Sequence, residues 1–168
     1  MSSETVKAPA GKNQIYAVLI ALSGDTLLLP NLAVAEVVAR DAIQPLPQLP
    51  PPWLAGQIDW SGRRLPVLRF EALNRGKPAS DPRRERVVVL NSHGRHLPSG
   101  QFALVTQAYP HLVTLNRAAL QPLALRETDR PELLLARVRV ANQEALIPDL
   151  DMIEAEIARA LSPTAAAV

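Results

Sequence analysis

AGQIDWSGRRLPVLRF, residues 55–70, decides how the rest of the chain is read. Apolar and polar residues alternate up to Trp60, a Ser-Gly pair breaks the run, two arginines follow, and a second apolar run carries Pro66. Alternation around a glycine break is the pattern of a β-hairpin, with Gly62 free to take a positive φ in the turn. The stretch therefore predicts strands at Gln57–Trp60 and Leu65–Leu68 about the connection Ser61–Arg64. Pro66 donates no ladder hydrogen bond, so it is expected at an edge or a bulge. None of these residue types can hold a metal or act as a nucleophile.

The same rhythm extends outward in both directions. Ile15–Leu22 and Thr26–Leu29 flank Ser23-Gly24-Asp25. Arg86–Leu90 and Phe102–Thr106 form another pair, and His111–Leu115 a further strand. Leu133–Val140 and Ala145–Ile147 make a last hairpin. Asn31 is placed to cap a brief helical turn carrying Leu32, Val34 and Val37, although the valines favour extended backbone. Asp149 caps a closing helix in which Leu150, Ile153, Ile157 and Leu161 recur on one face. The expectation is a mainly β chain of about ten strands with that one firm helix, in two successive groups of strands. Residues 1–13 read as a flexible lead-in, 14–161 as a single domain and 162–168 as a frayed tail.

Composition narrows the function. The chain has 168 residues, 48% hydrophobic but only 4% aromatic, so its core is aliphatic. A formal charge of +2 is a weak electrostatic footprint. Without cysteine, disulfides and thiolate chemistry are excluded. The opening residues lack the apolar core of a secretory signal, and no apolar run approaches the length of a membrane span. A soluble, cytoplasmic protein is expected.

A search for chemistry returns little. His93 and His96 share a loop but have no third ligand nearby in sequence, and His111 stands alone. Asp149, Asp151, Glu154 and Glu156 crowd the start of the last helix, where acids complement the helix dipole more often than they catalyse. IDWSGR is not a hydrolase elbow, and no glycine-rich phosphate loop exists. No catalytic residue, metal or cofactor is assigned. Arg75, Lys77, Arg83, Arg84 and Arg86 form a basic loop, the basis of an alternative reading as a small-barrel nucleic-acid binder. The loop lacks interleaved stacking aromatics. PLPQLPPP, residues 45–52, contains a PxxP pattern but lies between strands, and reads as a stiff connector.

Gly56, Gly62 and the pair Pro66-Val67 stand at the spacing of the central signature of CheW-like domains, coupling proteins of bacterial chemosensory arrays. The resemblance extends to IYAVLIALSGDTLLLPNLAVAEVV before it, and to FALVTQAYPHLVTL and LLLARVRVANQEALIPDLDMIEAEI after it, covering about residues 14–161. It implies two SH3-like five-stranded barrels sharing an apolar core. It also implies a non-enzymatic adaptor between methyl-accepting receptors and a CheA-type histidine kinase, free of nucleic acid and of membrane insertion. Val34 and Glu36 match positions on the family's receptor-facing surface. Val37, Trp60 and Ser61 join them as candidate partner-binding residues, with Gly56, Gly62, Pro66 and Val67 as scaffold. Two residues depart from the pattern: Ser61 stands where the family carries arginine, and Arg69 where it carries aspartate. A hydroxyl cannot replace the five-donor guanidinium fork. These departures point away from the flagellar coupling protein and towards an adaptor of a type IV pilus (twitching) system.

Overall fold

In the computed structural model, which describes residues 14–76, 82–92 and 95–162, the opening stretch forms a hairpin of β4 (Leu54–Trp60) and β5 (Arg63–Leu68). Its turn is two residues long, Ser61 at φ 51 and Gly62 at φ 77. Two left-handed residues give the turn a twist that matches the flanking strands. Arg63 and Arg64 belong to β5, opposite Trp60 and Asp59, so the turn is shorter than the four residues expected from sequence. The apolar alternation ends at Leu65, while cross-strand pairing, including the exposed Arg64–Asp59 ion pair at 3.3 Å, continues past it.

The remaining strands are β1 (Gln14–Ala21), β2 (Thr26–Pro30), β3 (Val34–Ala39), β6 (Arg86–Asn91), β7 (Gln101–Thr106), β8 (His111–Asn116), β9 (Leu120–Leu123), β10 (Leu134–Val140) and β11 (Gln143–Pro148). Two helices accompany them, α1 (Phe70–Arg75) and α2 (Leu150–Leu161). The lead-in, Lys77, His93 and the tail beyond Ser162 lie outside the described residues. No helix among the described residues is long and apolar enough to cross a membrane.

One sheet runs β3-β6-β7-β5-β4 and the other β8-β1-β2-β11-β10-β9. They share one plan. In each, three antiparallel neighbours meet a parallel pair at the third and fourth places, β7·β5 in one sheet and β2·β11 in the other. Each is a small SH3-like barrel. The two groups are not successive in the chain: the six-stranded sheet takes two strands from the start and four from the end, enclosing the other sheet in sequence. Short-range pattern cannot reveal this, because the β2·β11 pairing is set by contacts more than a hundred residues apart. In the five-stranded sheet the isolated bridge Gln44↔Gln57 stands in the place that β9 holds beside β10.

Alternation along the strands separates three cores. Ile58, Val67, Val87, Val89 and Val105 fill one barrel, while Ala17, Leu28, Val138 and Val140 fill the other. The residues between them on the same strands, among them Val18, Ile20, Leu27, Leu29, Val88 and Leu90, turn the opposite way. They join Phe70, Leu133, Ile153 and Ile157 in a larger shared core between the barrels.

Several expectations change. Asn31–Ala33 is a single 3-10 turn without a side-chain cap, and Val34 and Val37 lie in β3. Sequence periodicity missed α1, whose six residues bury only Phe70, Leu73 and Asn74 before Gly76, at φ 71, ends it. Pro66 sits inside the sheet, not at an edge, next to the irregularity of the β4·β5 ladder between Leu54 and Gly56. It faces Gln57, whose backbone N–H and C=O both pair with Gln44 at 2.9 and 2.7 Å, so β4 asks no hydrogen bond of it. Pairing with β7 begins one residue later, at Val67↔Ala103. A proline is tolerated here because neither ladder needs its missing donor.

Candidate functional site

β3 is the edge strand beside β6, and its register slips between Val34 and Glu36. In a regular strand Val34 and Val37, three apart, would point to opposite faces. The irregularity puts both on one face, opposite Leu90 and Val88, half-buried against the shared core. Glu36 is exposed and joins no ion pair among the described residues. Three large apolar side chains lie exposed nearby. Leu32, 82% exposed, precedes β3. Tyr16 and Leu112 lie on β1 and β8, on the ladder face shared with the core residue Val18, directly opposite Leu112. Where the two barrels meet, the shared core thus continues to the surface as an apolar strip. Sequence reasoning missed Tyr16, Leu32 and Leu112. The parity of Tyr16 with Val18 and Ile20 was its available signal, but the edge position of β8, which leaves this end uncovered, is a tertiary fact.

Trp60 and Ser61 are not part of that strip. Trp60 is half-buried against the interior of the five-stranded barrel, and Ser61 is exposed in the turn beyond it. The neighbouring Arg63 donates to the Gln101 side chain at 3.1 Å, tying this hairpin to the start of β7.

The reversed charge at Arg69 has a partner that sequence did not indicate. Glu85 is buried, its side chain only 1% exposed, and each carboxylate oxygen accepts from one guanidinium: Arg69 Nη1 at 2.6 Å and Arg40 Nε at 2.7 Å. A lone buried carboxylate would be strongly disfavoured, and two cations reverse that. The basic loop is likewise partly consumed by structure. Arg75 reaches Asp25 at 3.5 Å, and Arg86 donates to the Glu85 backbone carbonyl at 2.9 Å while lying over the Tyr109 ring at 5.3 Å. Arg83 and Arg84 are exposed.

The acids of the last helix divide into structural tasks. Asp149 caps α2 by accepting from the Met152 N–H at 3.2 Å, and Glu156 pairs with Arg159 at 2.8 Å. Glu154, fully buried, accepts from the His96 backbone N–H at 2.7 Å and from the Ser92 hydroxyl, pinning the β6–β7 connection to the helix. His96, Asp151 and Glu154 approach within 4.8 Å of one another, close enough for a metal. The Glu154 oxygens already serve the loop, however, and the Arg95 guanidinium stands 3.8 Å from Asp151. That arrangement is a loop anchor.

The carboxyl of Glu71 on α1 is driven far from its usual range, up to about 7. Burial is the main cause and the charge of Asp25 adds to it; the Ser23 backbone N–H, Arg69 and Arg75 pull the other way. The folded protein therefore holds a proton there that the unfolded chain releases near pH 4.5. Stability from this group falls as pH rises from about 4.5 to about 7. Glu71→Gln should remove that slope, raising the melting temperature at pH 8 while leaving it nearly unchanged at pH 4.5. Parallel melting curves across that range would refute the assignment.

A family model for the CheW-like domain matches residues 17–157. No protein of curated function matches. Among solved structures, the scaffolding protein TtCheW from Thermoanaerobacter tengcongensis is similar, with a TM-score of 0.67 at 17% identity, over 81% of this chain and 84% of that one. At that identity the likeness speaks for the fold. With the matched region covering most of the chain and strands of both barrels, the chain belongs to the CheW-like domain family, whose members serve as chemotaxis coupling scaffolds.

Proposed function

We propose that this chain is a non-enzymatic adaptor that couples methyl-accepting receptors to a CheA-type histidine kinase, in a pilus-driven (twitching) pathway, acting as one unit over residues 14–161. The apolar strip where the barrels meet carries the reading. Val34 and Val37 line its buried side, and Leu32, Tyr16 and Leu112 stand exposed along it. Exposed apolar side chains continuous with a core favour a protein partner that covers them. In this reading the adaptor works in the cytoplasm, held at receptor arrays by its partners. Ser61 in place of arginine, and the Arg69–Glu85 pair in place of aspartate, support a divergent member over the flagellar coupling protein.

The test is recruitment. Glu36→Arg, on an exposed side chain, should leave the melting temperature within a few degrees of the parent. Val34→Asp sets a charge against the shared core and should lower it, so both variants are assayed well below their own melts. Co-sedimentation with receptor signalling fragments and the kinase should fall, most for Val34→Asp, which sets a charge in the strip. A buried charge at a contact costs roughly 2 to 5 kcal/mol, a loss of more than tenfold. Undiminished co-sedimentation of both variants would sink the reading.

A further inference from the structure

Beside β3 lies a hollow of about 520 Å³ whose lining runs from Val37, at the border of the apolar strip, to Arg40, Asp41, Arg83, Arg86 and Tyr109. A second hollow, about 390 Å³, adjoins it through Arg40 and Asp41 and reaches Arg69. The floor is Glu85, which holds Arg40 and Arg69 from behind. Arg40 uses only its Nε–H on Glu85, makes no other hydrogen bond among the described residues, and its side chain is 46% exposed. Arg86 is held from two sides, by its bond to the Glu85 carbonyl and by the Tyr109 ring beneath it. These guanidiniums are fixed before anything binds, so little side-chain freedom remains to be lost when an anion arrives.

We propose that this hollow receives an acidic segment of a protein partner, whose carboxylates complete the hydrogen bonding of Arg40 and Arg86, with Arg83 at the rim. The inference deepens the adaptor reading and rests on it for the class of partner. Two features favour a protein segment over a nucleic acid. Tyr109 is the one aromatic residue lining the hollow and already carries Arg86 over its ring, so successive bases find no row of stacking platforms. The hollow also borders β3, whose other end carries Val34 and Glu36, so one partner can span both. Arg69 in place of the family's aspartate adds positive charge behind the site, selecting against partners built to meet a negative face.

The probe is a fluorescein-labelled deca-glutamate peptide, followed by anisotropy at about 50 mM salt, where surface charges are lightly screened. The wild-type chain should bind it, and Arg83→Glu or Arg40→Gln should weaken binding roughly tenfold. Arg117→Glu, the same charge change on the exposed turn after β8, should leave it unchanged. Arg83→Glu leaves the Glu85 clamp intact, and an unaltered melt will confirm that its effect is not unfolding. Absence of binding, equal loss in Arg117→Glu, or tighter binding of an oligothymidylate to the same residues would overturn the proposal. Val34→Asp should still bind the peptide. Peptide binding without receptor recruitment by the wild-type chain would therefore sink the adaptor reading alone.

Discussion

Arg69→Asp, which restores the residue usual in the family, is expected to destabilise this protein by about 3 kcal/mol. The substitution removes one of the two guanidiniums on Glu85 and sets a second carboxylate beside a side chain only 1% exposed. Arg40 is then the one guanidinium left on Glu85, and its single positive charge faces two carboxylates. The new aspartate gains something in return. α1 begins without a side-chain cap at Arg69, whereas Asp149, at the matching place before α2, accepts from the Met152 N–H. An arginine has no acceptor to offer there. A cap contributes about 1 kcal/mol, less than the repulsion costs. Urea denaturation should show the loss, and adding Glu85→Gln should recover most of it by removing the like charge while the cap remains. A single variant as stable as the parent, or a double variant no better than the single, would show that the Arg69–Glu85 contact is not what permits the departure.

Gly56→Ala should cost about as much, roughly 3 kcal/mol or more. A Cβ on Gly56 would stand 2.3 Å from the Gln44 carbonyl oxygen and 2.9 Å from Ile43 Cγ2, at a φ of 152 that disfavours side chains. Backbone is the obstacle, and it is the backbone of the Gln44↔Gln57 bridge. To admit one methyl group the bridge must open, with two hydrogen bonds of 2.7 and 2.9 Å. Gly62→Val provides the contrast. Nothing lies within 4 Å of a Cβ there, so only the left-handed backbone at φ 77 opposes it, about 1 to 2 kcal/mol. Thermal melts should rank Gly56→Ala below Gly62→Val. The reverse order would mean that the bridge yields more easily than its geometry indicates.

The same comparison separates what was legible from what was not. The hairpin about Gly62 could be read because alternation and turn chemistry act over a few residues. Most strands and α2 were readable for the same reason, the helix because four apolar residues at helical spacing and a capping aspartate agree. β3 was blurred by its irregularity, which breaks the two-residue period. α1 was too short to display a period of its own. Of the candidate partner residues, Val34 and Val37 come together on one face, while Trp60 packs on a different core and Ser61 lies exposed in the turn beyond it.

By itself, the sequence determined an aliphatic β protein of small barrels, where its turns and its last helix fall, and the family signature that names its class of work. Those properties follow from neighbouring residues: side-chain parity, backbone freedom at glycine and proline, and the reach of a cap. Only the tertiary structure decided that the chain's two ends share one barrel, that Tyr16, Leu32 and Leu112 stay uncovered, and that Glu85 sits beneath Arg40 and Arg69. Burial and charge pairing depend on which distant segments meet. A residue's surroundings, unlike its local geometry, are supplied by the rest of the chain.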